Sequence, residues 1–210
     1  MIELVMVIVV IGILASLVVP RMERDTRQNA IDTVLSDIRL AQQNALIDDK
    51  HDVTNPLWQS SFWHFKYYKC GDDFVYRVAS DINTNGIIEQ EESAISSQDR
   101  KYLFADCDNL DDVDNSPRVN LTRSYGINNI TATGVCSLSQ IVAFDSFGRL
   151  YSDLTTTSPN YINLVKDKDN EGKKNSCKIR FSFDDASINP FTLEIEPIVG
   201  HVKVIGQEYL

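Results

Sequence analysis

The sequence predicts an α+β fold: a long N-terminal helix, with a membrane-spanning half and an amphipathic half, packed on an antiparallel β-sheet head domain. Two observations lead to this fold class. The chain opens with an uncharged apolar run and continues with apolar residues at helical spacing. After residue 50 it changes to short alternating segments separated by turn formers, as expected for antiparallel strands. The predicted divisions are residues 1–20 for the apolar helix segment, 21–48 for the amphipathic half and 49–210 for the head.

The apolar run, Leu4 to Val19, has 16 residues. As a helix it would reach roughly 24 Å, slightly short of the roughly 30 Å hydrocarbon core of a bilayer. Glu3 stands at its head and Pro20 at its foot. An unpaired carboxylate in lipid costs several kcal/mol, so Glu3 needs either a partner or a place among the headgroups, in contact with water. The run lacks the basic start and the small-residue cleavage site of a secretory signal peptide.

Beyond Pro20 the chain reads as an amphipathic helix that ends near Ile47. Its charged residues Arg27, Asp32, Asp37 and Arg39 are predicted on other faces than the apolar stripe. The stripe consists of Ile31, Val34, Leu35, Ile38, Ala41 and Ala45.

The head is predicted to contain several short strands, bounded by Gly, Asn, Asp, Ser and Pro. Alternation is clearest where Ile179, Phe181 and Phe183 share one face. The predicted strands are Phe62–Tyr68, Phe74–Ala79, Gln140–Asp145, Arg149–Ser152, Lys178–Phe183, Phe191–Glu196 and His201–Ile205.

One loop matches the twelve-residue calcium pattern D-x-[DN]-x-[DN]-G-x5-E. Gly86 at its sixth position permits the sharp turn, and the donors would be oxygen atoms, which calcium prefers. The segment before it resembles a strand and not the incoming helix of an EF-hand, so an Asn-Gly hairpin turn is the alternative. The predicted ligands are Asp81, Asn83, Asn85, the Ile87 carbonyl, Glu89 through water, and a bidentate Glu92.

Four cysteines, Cys70, Cys107, Cys136 and Cys177, are too widely spaced for a C-x-x-C metal set. An even number in an exported domain favours two disulfides. Order along the chain suggests Cys70–Cys107 and Cys136–Cys177, although four cysteines allow three connectivities and four buried free thiols remain an alternative.

Charge and motif content argue against several functions. A net charge of −10 disfavours a general nucleic-acid-binding surface. The three histidines lie far apart, and the sequence contains neither a G-x-S-x-G motif nor a glycine-rich phosphate loop. We therefore expect no enzymatic activity.

The N-terminal pattern resembles the mature N-terminus of type IV pilins and type II secretion pseudopilins. Ile2-Glu3-Leu4 matches the core of the family pattern, and Gly12 and Pro20 stand at the family's positions, where they imply kinks in the helix. Met1 stands where the pattern has Leu, which suggests a trimmed or misassigned start. Val142–Arg149 and, loosely, Glu196–Gly200 resemble stretches of the minor, H-type pseudopilin branch, which often carries a similar Asp-x-Asn insertion after an early strand.

The resemblance implies a structural minor pilin or pseudopilin that assembles with other such subunits into a periplasmic pilus-like filament. It implies pairing of Glu3 with the N-terminal amine of a neighbouring subunit, methylation, and a role in protein transport. It also implies a single-pass location in the bacterial inner membrane, with the head in the periplasm. One alternative is a DNA-receptor minor pilin, although the C-terminal segment offers only Lys203 as a firm cation. The other is a membrane-tethered calcium-binding domain without an assembly role.

Overall fold

The computed structural model describes residues 2–137, 140–154 and 175–206, and for residues 2–4 and 13–25 the backbone alone. Its first element is helix α1, Ile2–Ile47, whose backbone continues past Gly12 and Pro20. The C-terminal part of α1 carries the apolar stripe, and Ile31, Val34 and Ile38 are fully buried against the head. Since an apolar stripe at helical spacing covers one face of a helix, this part of α1 packs on the strands along its whole length.

The described head residues form two four-stranded antiparallel sheets. The first sheet has the order β2-β1-β4-β5 and the second β3-β6-β7-β8. The strands are β1 Trp63–Cys70, β2 Asp73–Ala79, β3 Ile127–Gly134, β4 Ile141–Phe144, β5 Leu150–Tyr151, β6 Cys177–Phe183, β7 Phe191–Ile195 and β8 Val202–Val204. A short helix α2, Leu121–Tyr125, and the 3-10 helices Trp58–Ser61, Gln90–Glu92 and Pro117–Val119 connect them.

The two sheets and α1 share one hydrophobic core. On the first sheet, Phe65 and Tyr76 stack with their ring centroids 5.0 Å apart, beneath α1. On the second sheet, Phe181 and Phe191 stack at 4.8 Å. Polar side chains of α1 add contacts at the margin of this core, where Arg27 Nε donates to the Asn189 carbonyl over 2.9 Å.

Two disulfides connect distant parts of the head. Cys70 at the end of β1 is joined to Cys107, and Cys136 is joined to Cys177 at the start of β6, each with a Cα–Cα distance of 5.1 Å. This is the pairing that order along the chain suggests. Each crosslink stabilises a fold of this kind by about 2–4 kcal/mol, largely by restricting the unfolded chain.

A buried polar cluster joins α1 to the first sheet. Asp37, which is 2% exposed, accepts hydrogen bonds from the Tyr76 hydroxyl (2.5 Å) and from the Arg118 guanidinium, with which it forms a salt bridge. Burial raises the pKa of the Asp37 carboxyl, while Tyr76 and Arg118 act in the opposite direction. The prediction that Asp37 lies away from the apolar stripe is therefore wrong. Asp37 follows Val34 by three residues and precedes Ala41 by four, which places it within the stripe.

The predicted fold class needs two corrections. The head contains two antiparallel sheets, whereas one was predicted. In addition, no helix in the part of the chain that the structure describes is long and apolar enough to span a bilayer. This finding contradicts the predicted membrane-spanning half and the predicted single-pass location in the inner membrane.

We expect Arg118→Met to destabilise the protein by about 3–5 kcal/mol, because it leaves the Asp37 carboxylate buried without a counter-charge. Arg123→Met is the matched control. Arg123 is half exposed, and its partners Asp73 and Asp111 have side chains that are 16% and 84% exposed; because solvent screens the exposed guanidinium, its loss should cost about 1 kcal/mol. Chemical denaturation of both variants measures the difference, and equal costs would contradict the importance of the buried cluster.

Candidate functional site

The candidate site is the loop from Asp81 to Glu92, which follows β2 and ends with the 3-10 helix Gln90–Glu92. Two residues turn the backbone in the left-handed region, Thr84 with φ of 54° and Gly86 with φ of 83°. Glycine adopts such an angle without steric cost, which explains why the bend falls at Gly86. Ile88 is 9% exposed and packs the loop onto the rest of the head.

The first acid of the loop, Asp81, points into the bend. It is 2% exposed, and its two carboxylate oxygens accept from the Asn85 amide (3.1 Å) and the Gly86 amide (2.9 Å). The carboxylate thus organises the turn that carries the central donors of the loop.

The last acid, Glu92, returns to the beginning of the loop. Its Oε1 accepts from the Ile82 and Asn83 amides at 3.0 and 3.3 Å, and its Oε2 accepts from the Glu89 amide at 3.0 Å. Glu92 is also buried. Glu92 therefore holds the two ends of the loop together, whereas Asp81 holds its central bend, and both buried carboxylates act through backbone amides.

The other predicted ligands are exposed. The Asn83 side-chain oxygen accepts from the Asn85 amide at 2.9 Å, and the Asn85 oxygen accepts from the Ile87 amide at 2.7 Å. Ile87 and Glu89 are exposed at the rim. The structure thus turns both amide oxygens toward the loop backbone and leaves Glu89 in solvent.

These donors fit a hard cation such as calcium, since all of them are oxygen atoms and three belong to carboxylates, that of Glu89 being expected to act through water. A carboxylate offers about four lone-pair positions. Three amides engage Glu92, which leaves room for about one bond to a cation, so the bidentate contact expected from the sequence would require Glu92 to release an amide. Among the described residues, no three or more His, Cys, Asp or Glu side chains form a metal-binding group. Calcium at this loop would therefore depend on the amide and carbonyl oxygens as well.

A second candidate surface is the projecting start of α1. Seven consecutive large apolar side chains, from Val5 to Ile11, are each between 51 and 67% exposed. Seven residues make about two turns, so the apolar surface surrounds the helix. Gly12 is also exposed, with nothing within 4 Å of the position of a Cβ atom. The side chains of Glu3 and Pro20 lie outside the described residues.

The outer face of the first sheet, meaning the face turned away from α1, lies beside the loop. His64 is buried there, with Nδ1 3.0 Å from the Phe62 carbonyl oxygen. Burial lowers the pKa of His64 from 6.5 to about 4, against the influence of that carbonyl. No sequence motif points to His64, Lys66 or Arg77 on this face, although the alternation of β1 places His64 and Lys66 together.

Comparisons with known proteins give no relative: no protein-family model, curated protein or solved structure matches this chain.

Below pH 6.5 we expect His64 to weaken the fold. Its pKa is lower in the folded state than in the unfolded state, so its contribution is complete above pH 6.5 and is lost as the pH falls toward 4. A shift of this size corresponds to a loss of roughly 3 kcal/mol. Denaturation of wild type and His64→Gln at several pH values should show a shallower decline for the variant. His51→Gln, at an exposed histidine, should retain the wild-type slope, and equal slopes for all three proteins would contradict this assignment.

Proposed function

We propose that this chain is a structural subunit of a pilus-like filament, in which the apolar start of α1 packs against the same segment of neighbouring subunits. The observation that carries the proposal is the apolar surface from Val5 to Ile11, which no described part of the head covers. Exposed apolar surfaces of this kind in monomers mark interaction sites. Contacts between the same helix segments, repeated from subunit to subunit without closing a ring, would produce a filament.

Two further features support the proposal. The Ile2-Glu3-Leu4 sequence with Gly12 and Pro20 resembles the assembly segment of type IV pilins and pseudopilins. Two disulfides fit an oxidising compartment outside the cytoplasm. A DNA-receptor role is less favoured, because Lys203, the one cation noted in the C-terminal segment, forms salt bridges with Glu194 and Glu196.

We further propose that the loop from Asp81 to Glu92 binds one calcium ion and so stabilises the head. Two buried carboxylates and two asparagine amide oxygens within one bend of the chain support this role; the amide oxygens accept from the Asn85 and Ile87 amides and would turn toward the ion on binding. The contribution of the ion would be electrostatic: it would offset the charge of two carboxylates whose hydrogen-bond donors are backbone amides and which attract Arg77 only over a longer range. The chain's own residues do the rest, because Gly86 and the backbone hydrogen bonds hold the donors in a bend.

The filament proposal predicts that Ile8→Asp weakens self-association at least about tenfold, since a charge inside a helix–helix contact is costly. Ile47→Asp is the control, because Ile47 is 85% exposed at the opposite end of the same helix. Sedimentation velocity and electron microscopy of the full chain measure assembly. If Ile8→Asp assembles like wild type and like Ile47→Asp, the start of α1 is not the assembly surface.

Glu3→Val tests the pairing that the resemblance implies. We expect the variant to enter filaments less well than wild type when the two are mixed, while the head keeps its melting temperature. Normal incorporation beside wild type would exclude a pairing role for Glu3.

The calcium proposal predicts a higher melting temperature in calcium than in chelator. One bound ion adds RT ln(1 + [L]/Kd) to the free energy of unfolding, about 2.7 kcal/mol at a hundred times the Kd. Asp81→Asn and Glu92→Gln should each remove the gain, whereas Asn83→Asp should preserve it. Glu91→Gln, at an exposed acid next to Glu92, should leave the gain unchanged. An unchanged melting temperature of wild type in millimolar calcium would reduce the loop to an Asn-Gly turn.

A further inference from the structure

Two cations lie directly opposite each other on the outer face of the first sheet. Lys66 of β1 and Arg77 of β2 are register partners, so their side chains leave the same face. Like charges in this arrangement destabilise a strand pair. Neither residue forms a salt bridge with a described carboxylate, although the chain carries 30 acidic and 20 basic residues. Cross-strand stability therefore does not explain why Lys66 and Arg77 stand opposite each other.

The hydrogen-bonding capacity of the pair is also incompletely used. Arg77 Nε is buried and has no acceptor among the described residues, a rare condition for a buried donor. The Arg77 guanidinium lies 5.7 Å from the centre of the Tyr68 ring, which restricts its position. Burial and the charge of Arg77 both lower the pKa of Lys66. An anion that contacts the Lys66 ammonium and the cavity-facing part of the Arg77 guanidinium would relieve this repulsion.

Space for such an anion is present. Lys66 and Arg77 line a cavity of about 460 Å³, a volume typical of small-molecule sites. Gln140 adds a polar group, whereas Ile87, Ile88 and Phe104 form an apolar wall. The cavity is thus cationic on one side and apolar on the other.

The carboxylates near the cavity already accept hydrogen bonds from backbone amides. Asp81 and Glu92 accept from backbone amides of the loop and act on Arg77 only through longer-range attraction. Asp106 also lines the cavity, but it is exposed and its carboxylate accepts from the Asp108 amide at 3.1 Å. None of these acids forms a salt bridge with Lys66 or Arg77.

We propose that this cavity binds a small organic oxyanion, with Lys66 and Arg77 on its phosphate or carboxylate group and Ile87, Ile88 and Phe104 on its apolar part. Charge-assisted hydrogen bonds to both cations supply the affinity, and the apolar wall selects an organic anion over an inorganic one. The site does not include the start of α1, but it shares Ile87 and Ile88 with the loop from Asp81 to Glu92, which is why the binding test is made in chelator.

The test is a titration of the full chain in chelator, followed by the backbone amide NMR signals of β1 and β2. Phenyl phosphate and benzoate serve as probes and distinguish a preference for phosphate from one for carboxylate. Inorganic phosphate lacks the apolar part and should bind more weakly, and phenol lacks the charge and should not bind. Saturable shifts around Lys66 and Arg77 with either aromatic anion are the expected result.

Variants identify the cations. Lys66→Met and Arg77→Met should each weaken binding about tenfold or more, which is the effect of losing one charge-assisted hydrogen bond. Lys69→Met, at an exposed lysine of the same strand, should bind like wild type. Lys66→Met removes a like-charge contact, so we expect its melting temperature to be no lower than that of wild type. If Arg77→Met does not fold, the anion affinity of Lys66→Met alone tests the proposal. The absence of saturable shifts at millimolar anion, or equal affinities of Lys66→Met and Lys69→Met, would overturn the proposal.

Discussion

Asp37 lies where α1, strand β2 and the 3-10 helix Pro117–Val119 meet, and its carboxylate is held there by Tyr76 and Arg118. A buried charge is tolerated only with a partner in good geometry, because its desolvation costs several kcal/mol. A small shift of α1 would cost its apolar contacts little free energy, but it would separate the buried Asp37 carboxylate from the Arg118 guanidinium. This pair therefore fixes the register of α1 on the first sheet, and with it the direction in which the start of the helix leaves the head.

The two faces of the first sheet have different surroundings, because successive side chains of each strand point to opposite faces. Phe65 and Tyr67 of β1 lie in the core beneath α1, whereas His64 and Lys66 lie on the outer face. The core face supplies the stability of the head. Among the described residues, the loop from Asp81 to Glu92 and a small apolar cluster of Phe62, Ala143 and Tyr151 cover part of the outer face, and the charged cavity lies beside the loop. Both proposed ligand sites thus depend on the strand that also carries the main core contacts.

The proposed assembly segment and the contacts that stabilise the head lie in different parts of α1. The segment from Val5 to Ile11 has no cover in the described head, while one face of the segment from Ala30 to Ala45 is buried in it. A head fastened by two disulfides and by the Asp37 cluster can keep its structure while the start of the helix engages neighbours. This division is what the proposed filament subunit requires, because its assembly contacts would be made by the start of α1 and the head would keep its own fold.

The sequence by itself determined the local features: the buried stripe of α1, the approximate position of most strands, the all-oxygen loop and the cysteine pairing suggested by order. These depend on neighbours within a few residues or on periodicity. Strand β3 was not predicted, because Ile127–Gly134 is mostly polar and exposed and shows no apolar alternation. It forms a strand because its backbone pairs with β6. The division into two sheets, the burial of Asp37 and the opposition of Lys66 and Arg77 were decided by the tertiary structure alone. Each depends on which distant strands or helices come together, and hydrophobic alternation within one strand does not encode its partner.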